Sequence, residues 1–388
     1  MAERRGVLIV GAGFAGAVHA RELAEAGFTV HVIDRRPHIA GNAYDAMTPD
    51  GTRVHRYGPH LFHTSNAAVM NWLARFGAFV PYTHRVLAEI YGPLHVPLPI
   101  NRSTVNAVFS VRLKSEDQVA AFLRSQAIAC ERPRNAAEYL HATIGRTLTD
   151  LFFRPYTRKM WGAELEDMHE SVVRRVPVRL DDDDRYFPDD AFQVLPRHGY
   201  SALVGAILDH PNIAVRTGTE YVHGLERDYA ACFNSMAIDE YFAFCHGPLP
   251  YRSIRFHHRS EPAGYARAGA SVVNFTGPGR YTRETDWSVL PHHQPPEAPA
   301  KTVTLEEPCD DRDNAMERYY PVLTSDDRHR RTYEKYLLLA RKTPRMRFIG
   351  RCGTYRYLDM DQVINQSLQH VRAALAGDLR FPARAGER

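Results

Sequence analysis

The hydrophobic pattern at the start of the chain predicts a strand, a helix and a second strand. Residues 7–10 form a short apolar run that stops at a glycine, as expected for a parallel strand buried on both faces. Helix-forming residues follow from 14 to 26, Gly27 is a C-terminal stop, and 28–33 is rich in β-branched residues. The chain therefore begins with a βαβ unit, which indicates a parallel sheet.

Helical and strand-like patterns alternate along the rest of the chain. The predicted elements are largely helical segments at 66–80 and 103–165, β-rich stretches at 81–100, an amphipathic helix near 200–208, short strands of an antiparallel sheet within 211–275, a loop over 277–300, a helix at 330–341, a buried strand at 346–349 and a closing helix at 360–376. This order predicts an α/β fold with further helical and sheet segments added to the first unit.

A glycine motif lies between the first strand and the first helix. Gly11, Gly13 and Gly16, with Phe14 among them, follow the pattern G-x-G-x-x-G, which allows a tight turn and brings a pyrophosphate to the helix N-terminus. Asp34 ends the second strand, where a carboxylate accepts ribose hydroxyls and repels a 2′-phosphate. The motif therefore predicts a dinucleotide site that does not favour NADP.

Two further segments favour FAD over NAD. Arg35, Gly41 and Asn42 provide a second approach of small and polar residues, suited to a longer cofactor. A late strand that ends near Arg351 can return to the same sheet. We therefore expect FAD as the cofactor.

Composition narrows the class of protein. A chain of 388 residues is longer than one core usually supports, so we expect two or three subdomains that share a cofactor. The 49 Lys and Arg nearly balance the 45 Asp and Glu, so the chain lacks the excess of basic residues that is typical of nucleic-acid-binding proteins. Five widely spaced cysteines argue against a disulfide framework and indicate a reducing, cytoplasmic compartment. Apolar runs stay well below about 18 residues, so we expect no membrane span.

Some side-chain clusters are open to more than one interpretation. His55, His60 and His63 lie close together, but without a carboxylate or cysteine at ligand spacing we expect no metal site. The aromatic residues around Tyr156 are compatible with core packing as well as with a binding surface. Arginines pair well with diphosphates, so Arg174 and Arg175, together with Arg283, are candidates for that role, although each alone also fits a surface arginine.

Several segments together resemble UDP-galactopyranose mutases of the prokaryotic type. They span nearly the whole chain and comprise the glycine motif and residues 57–64, 156–162, 176–179, 319–322 and 353–361. The resemblance implies an FAD-binding Rossmann-like domain with an inserted helical domain and a twisted antiparallel β-sheet domain. The implied boundaries are 1–80, 195–240 and 319–388 for the FAD-binding domain, 81–100, 176–194 and 241–318 for the sheet domain, and 101–175 for the helical domain with its mobile loop.

The activity implied by the resemblance is an isomerisation. Reduced FAD attacks the anomeric carbon through N5 and interconverts UDP-galactopyranose and UDP-galactofuranose without net redox change. The resemblance also implies an external reductant such as NAD(P)H, a homodimer, and a role in cell-wall polysaccharide biosynthesis. Two alternatives stay open at this point: an amine- or hydride-oxidising flavoprotein with the same fold, and a non-catalytic UDP-sugar-binding flavoprotein.

The resemblance also implies roles for individual residues. Arg175, Arg283 and His63 would be catalytic, the two arginines by holding the diphosphate. Substrate would contact His84, Phe152, Tyr156, Thr157, Trp161, Tyr186, Phe187, Asn274, Tyr320 and Tyr357. Beyond the motif glycines, Phe14, Asp34, Arg35, Gly41 and Asn42, the cofactor would contact His60, Leu61, Arg351, Leu358, Asp359 and Met360. The chain departs from the family pattern at Ala40, where glycine is usual, at His84 and Arg185, where asparagine is common, and over 284–288.

Overall fold

The computed structural model describes residues 6–174, 176–295 and 297–378. The strands are β1 Gly6–Val10, β2 Thr29–Ile33, β3 Asp45–Met47, β4 Arg53–His55, β5 Phe62–Thr64, β6 Phe79–Pro81, β7 Val86–Ile90, β8 Leu94–Leu98, β9 Phe192–Pro196, β10 Ile213–Arg216, β11 Ala231–Asn234, β12 Tyr251–Pro262, β13 Val272–Phe275, β14 Arg283–Asp286, β15 Ala300–Asp310, β16 Tyr320–Pro321 and β17 Met346–Phe348. The helices are α1 Phe14–Glu25, α2 Ala67–Leu73, α3 Arg102–Phe109, α4 Glu116–Gln126, α5 Ala136–Leu148, α6 Arg154–Trp161, α7 Tyr200–Leu208, α8 Ile238–Tyr241, α9 Arg328–Arg341, α10 Gly350–Gly353 and α11 Met360–Ala373.

A parallel sheet carries the first βαβ unit. In the described part of the chain it has five strands in the order β10-β2-β1-β11-β17, with β1 at the centre. Val7 and Ile9 face a core shared with α1, α7 and α11, whereas Leu8 and Val10 face a second apolar cluster on the other side. Burial on both faces explains why β1 is uniformly apolar. The parallel sheet and the helix that follows its central strand have the βαβ arrangement of a Rossmann-like domain.

A larger mixed sheet forms the second layer. Its order over the described ranges is β16-β12-β15-β14-β13-β7-β8, and β12 pairs with β15 over a long antiparallel register. Helices α3 to α6 share an apolar core with β7, β8 and β13. Asn101, Ser115 and Asn135 cap α3, α4 and α5 through their side-chain oxygens, which explains where these helices begin.

The structure corrects three predictions of secondary structure. Helix α2 ends at Leu73, and the end of the predicted segment 66–80 is instead the strand β6, which pairs with β9. Within 211–275, β10 and β11 belong to the parallel sheet rather than to an antiparallel one. The predicted loop at 277–300 contains β14, whose polar sequence is buried between β13 and β15. Each error arises from pairing between distant segments, which local patterns do not reveal.

The domain boundaries implied by the sequence remain a prediction. The segment 176–194, assigned to the sheet domain, includes the beginning of β9, and β9 pairs with β5 and β6 in a separate small sheet. Over the described residues, none of the helices is both long and apolar enough to cross a bilayer.

Candidate active site

The glycine turn lines a cavity of about 330 Å³ at the carboxyl end of β1. Gly11 has a φ of +101°, a conformation that favours glycine. Gly41 approaches Gly13 so closely that a Cβ on Gly41 would lie 3.0 Å from the Cα of Gly13. Within the described residues, no side chain caps α1 at Gly13, so the first backbone amides of α1 are available to an anion. The glycines thus leave room for a pyrophosphate.

Asp34 lies at the rim of this cavity in a fixed orientation. Its Oδ2 accepts a hydrogen bond of 2.7 Å from the amide of Ala12, and its Oδ1 accepts one of 2.9 Å from the amide of Arg36. Two backbone donors hold the carboxylate beside the turn, where it can accept the hydroxyls of a ribose. The residues present therefore fit a dinucleotide.

Ala40 adopts a left-handed conformation on the wall of the cavity. Its φ is +69°, and its methyl group is 1% exposed. This conformation costs a residue with a Cβ roughly 1–2 kcal/mol and would cost glycine almost nothing. The strained backbone of Ala40 therefore destabilises the fold, whereas burial of its methyl group stabilises it.

The substitution Ala40→Gly should leave stability almost unchanged. Relief of strain offsets the loss of a buried methyl group, about 0.8 kcal/mol, and the greater freedom of glycine in the unfolded chain, about 0.4–1 kcal/mol. Chemical denaturation would measure the difference. As a matched control, Ala43→Gly removes a buried methyl group without any relief of strain, so it should cost about 1–2 kcal/mol. Equal losses for the two variants would contradict this account.

A second cavity, of about 970 Å³, lies between the large sheet and the helical segment. It shares His60, Arg351 and Met360 with the first cavity, so the two meet at these side chains. Arg351 is held by the carbonyl oxygens of Leu358 and Tyr319. A ligand in the first cavity that is long enough to reach this junction will contact a ligand in the second.

Arg283 is a largely buried cation of the second cavity, with 23% of its side chain exposed. It begins β14, and its Nε donates a hydrogen bond of 3.1 Å to the Oδ1 of Asn274 on β13. Its Nη1 lies 3.7 Å from the Oε1 of Glu306 on β15. Burial disfavours the charge, but Glu306 and nearby tyrosines outweigh it, so the pKa of Arg283 is raised. The guanidinium therefore stays charged where a diphosphate can reach it.

Two buried polar atoms beside Arg283 lack hydrogen-bond partners among the described residues: the Nδ1 of His84 and the Oε1 of Glu306. Burial and the nearby Arg283 lower the pKa of His84 to about 3, so its imidazole is neutral. Burial raises the pKa of Glu306, and Arg283 opposes that rise. Because leaving buried polar atoms unpaired is costly, both atoms are natural partners for hydroxyl groups of a ligand.

His63 is oriented by a carboxylate that the sequence did not reveal. Its Nδ1 lies 2.6 Å from the Oδ2 of Asp190, and its ring stacks on Phe187 with centroids 3.5 Å apart. With Nδ1 engaged by Asp190, the other ring nitrogen is the one available to a ligand. Asp190 thus fixes the ring of a residue that the resemblance implies to be catalytic.

The structure brings most of the predicted site residues together. All ten predicted substrate contacts line the second cavity, as do Arg283 and His63. Most predicted cofactor contacts line the first cavity, but Leu61 and Asp359 line the second, and Gly16 lies beneath the turn against Gly11. Arg175 lies outside the described residues. Arg174 stacks on Tyr139 and pairs with Glu170, and it does not line either cavity.

Two histidines of the 55–63 segment are linked to each other, since the backbone amide of His60 donates a hydrogen bond of 3.0 Å to the Nδ1 of His55. His55 is fully buried and contacts His293 through a 3.2 Å approach of their Nε2 atoms. His60 contacts the carbonyl oxygen of Gly58 through Nδ1. Over the described residues, no group of three or more His, Cys, Asp or Glu is arranged to hold a metal ion.

The fold and the two joined cavities define a class of protein, namely a flavoprotein with a Rossmann-like domain and an adjoining cleft for a second ligand. A crystal structure of reduced UDP-galactopyranose mutase has the same fold, with a TM-score of 0.73 and 17% identity over 96% of each chain. A family model for NAD(P)-binding Rossmann-like domains matches residues 9–76.

Sequence comparison identifies the family. The UDP-galactopyranose mutase model matches residues 151–357. A probable UDP-galactopyranose mutase of Klebsiella pneumoniae is 36% identical, covering 94% of this chain and 93% of the relative. A dTDP-fucopyranose mutase of Escherichia coli is 35% identical, covering 94% and 96%. The chain belongs to the UDP-galactopyranose mutase family.

Proposed function

We propose that this protein interconverts UDP-galactopyranose and UDP-galactofuranose with reduced FAD and without net redox change. The observation that carries the proposal is the junction of the two cavities at His60, Arg351 and Met360 in a chain of this family. The junction allows the reacting end of a flavin to meet a sugar held beside Arg283. When bound and reduced, FAD supplies the nucleophile for the anomeric carbon.

The protein's own contribution is to hold the UDP group while its bond to the sugar is broken and remade. A departing diphosphate gains negative charge, and a buried guanidinium stabilises that charge strongly because little water screens it. Arg283, most of whose side chain is buried, meets this requirement. Arg175 is proposed as its partner on the basis of the family resemblance. The cleft also keeps UDP close, so that it can return to the rearranged sugar.

The lining of the cleft supports separate binding regions for the uridine and for the diphosphate and sugar. Phe152, Tyr156, Thr157 and Trp161 are proposed to bind the uridine, since they lie together around α6. The residues proposed for the diphosphate and sugar are His84, Tyr186, Phe187, Asn274, Tyr320 and Tyr357. Tyr320 and Tyr357 stack with ring centroids 5.4 Å apart beside Arg351, which places this pair at the junction with the cofactor cavity.

Further features are proposed from the family. The reduced state requires an external reductant such as NAD(P)H, and the protein is proposed to work as a homodimer in the cytoplasm. Leu358, Asp359 and Met360 are proposed to contact the flavin ring, although a capping box between Asp359 and Gln362 already satisfies part of the N-terminus of α11.

A second candidate substrate is a dTDP-linked 6-deoxyhexose. The relative named dTDP-fucopyranose mutase is as similar to this chain as the probable UDP-galactopyranose mutase is. The ring stack of His63 on Phe187, which continues towards His84, gives the cleft an aromatic wall that suits a methyl group as well as a hydroxymethyl group. Direct comparison of the two substrates would decide between them.

The proposed function can be tested by chromatography of nucleotide sugars incubated with the purified protein. UDP-galactofuranose and dTDP-fucofuranose would each be incubated with and without dithionite. We expect conversion of UDP-galactofuranose to the pyranose form only in the reduced sample.

Other outcomes identify other functions. Faster conversion of the dTDP-sugar would reassign the substrate. Reduction of the flavin by a substrate amine or hydride donor would indicate an oxidase. Binding of UDP-sugar without conversion, in a folded and reduced protein, would indicate a binding protein.

A further inference from the structure

Lys159 is a partly buried cation that does not line the substrate cleft. It lies on α6, where Tyr156, Thr157, Met160 and Trp161 line the cleft and Lys159 itself does not. Its ammonium group instead reaches the loop between β13 and β14. The Nζ lies 2.7, 2.9 and 3.0 Å from the carbonyl oxygens of Phe275, Gly277 and Tyr281, respectively.

These three hydrogen bonds use the full capacity of the ammonium group, which has three donors. The loop that they hold has little structure of its own: Gly279 has a φ of +116°, and residues 278–280 are exposed. Without the ammonium, three carbonyl groups would lose a charged donor. Lys159 therefore determines how tightly this loop is fixed.

The loop connects two residues of the diphosphate site. Asn274 precedes it at the end of β13, and Arg283 follows it at the start of β14, where the two side chains are hydrogen-bonded. Helix α6 is anchored in turn by Arg252 of β12, whose Nε donates to the carbonyl oxygen of Met160. A rigid path thus runs from the helix proposed to bind the base to the cation proposed to bind the diphosphate.

We propose that Lys159 is a positioning residue for the nucleoside diphosphate: by fixing the 275–281 loop, its ammonium group holds Asn274 and Arg283 in register with the base-binding face of α6. This inference rests on the proposed function, because it assumes that the cleft binds UDP. Lys159 acts through the loop and does not touch the ligand. A weaker anchor should therefore impair recognition of the diphosphate and spare recognition of the base.

The charge state of Lys159 gives this anchor a dependence on pH. Burial lowers the pKa of Lys159 to about 8. As pH rises through that value the ammonium becomes an amine with two donors, so at least one carbonyl loses its partner. The neighbouring charged and titratable groups are Tyr156 on α6, Arg252 on β12, Arg280 and Tyr281 in the loop, Arg283 on β14, and the His257–Glu307 pair beside Tyr281. Among the described residues, Lys159 forms no ion pair with a carboxylate that would oppose deprotonation.

Calorimetric titration of the cofactor-loaded protein with UDP and with uridine would test the proposal. Lys159→Met should weaken UDP binding at least about tenfold, as expected for the loss of charged hydrogen bonds, and should leave uridine binding within about twofold. Lys159→Arg keeps a charged donor and should restore most of the UDP affinity. Lys335→Met, on the exposed face of α9, is the matched control and should match the wild type.

The dependence of UDP affinity on pH provides a second test, which compares only the wild type with Lys159→Arg. In the wild type, the affinity for UDP relative to uridine should fall between pH 7 and pH 9, around the lowered pKa of Lys159, which is about 8. In Lys159→Arg it should stay constant over this range, because a guanidinium does not titrate there. A purely structural lysine would not produce this difference.

The outcomes distinguish failure of the proposed function from failure of the positioning role of Lys159. If the wild type binds uridine and UDP equally weakly, the proposed function fails. If the wild type binds UDP well but Lys159→Met binds it equally well, or loses both ligands to the same extent, the positioning role is wrong. A relative affinity that falls identically with pH in the wild type and in Lys159→Arg would also overturn it.

Discussion

Replacing Arg283 with alanine should reduce turnover by at least about a hundredfold, the usual effect of removing one preorganised group that stabilises developing charge, while the cofactor remains bound. The guanidinium lies in the second cavity, outside the lining of the dinucleotide cavity, so its loss should not disturb the cofactor. Removal also leaves Glu306 buried without the cation that faces it. Its carboxyl group would then take up a proton, because burial disfavours its charge.

The measurement is the rate of pyranose formation from UDP-galactofuranose by the reduced protein, together with flavin absorbance. Arg280→Ala is the matched control, since Arg280 is in the adjacent loop and its side chain is 63% exposed in a weak pair with Glu307. That variant should retain activity within about twofold, as for other exposed ion pairs. Turnover by Arg283→Ala close to that of Arg280→Ala would exclude Arg283 as the group that stabilises the diphosphate.

The substitution Gly16→Ala should strip the cofactor from the protein. A Cβ at this position would lie 1.9 Å from the carbonyl oxygen of Gly11 and 2.9 Å from the Cγ2 of Ile9. Because Gly11 contributes backbone rather than a flexible side chain, α1 must move away from β1. That shift costs roughly 1–3 kcal/mol and displaces the backbone amides that face the pyrophosphate. We therefore expect cofactor affinity to fall by at least about tenfold.

Flavin retained per protein after dialysis, together with thermal unfolding, would measure this effect. Gly205→Ala provides the control, because Gly205 is also helical and lies in the same apolar layer, on α7. Its added Cβ would meet the Cδ1 of Ile39 at 3.7 Å, an ordinary contact. Alanine there should be neutral or stabilise the fold by up to about 1 kcal/mol. Full retention of flavin by Gly16→Ala would show that close packing of α1 on the turn is not required.

The dinucleotide site could be predicted from the sequence because it is local. The turn, the following helix and Asp34 all fall within one βαβ unit. The hydrophobic pattern of this unit and the spacing of its glycines and Asp34 are therefore enough to predict how these parts are arranged. The late return of the chain to this sheet was also predicted, and β17 pairs with β11 in parallel. The resemblance to a known family extended these predictions to the cleft.

The supporting residues of the cleft could not be found in this way. Lys159 meets carbonyl groups 116 to 122 residues away in sequence, and Asp190 meets His63 across 127 residues. Glu306 comes beside Arg283 only because β14 and β15 pair in one register. Neither hydrophobic periodicity nor a local motif predicts these long-range contacts, because they depend on how the sheets assemble.

The order of strands in the parallel sheet has a consequence for biosynthesis. The central strand β1 is made first, but its neighbour β11, Ala231–Asn234 of 388 residues, is made about three fifths of the way along the chain. The wall of the dinucleotide cavity closes later still, with residues of α11. On a ribosome, the first strand must therefore wait for most of the polypeptide before it gains its second partner. We therefore expect the dinucleotide pocket to be complete only after α11 has been made.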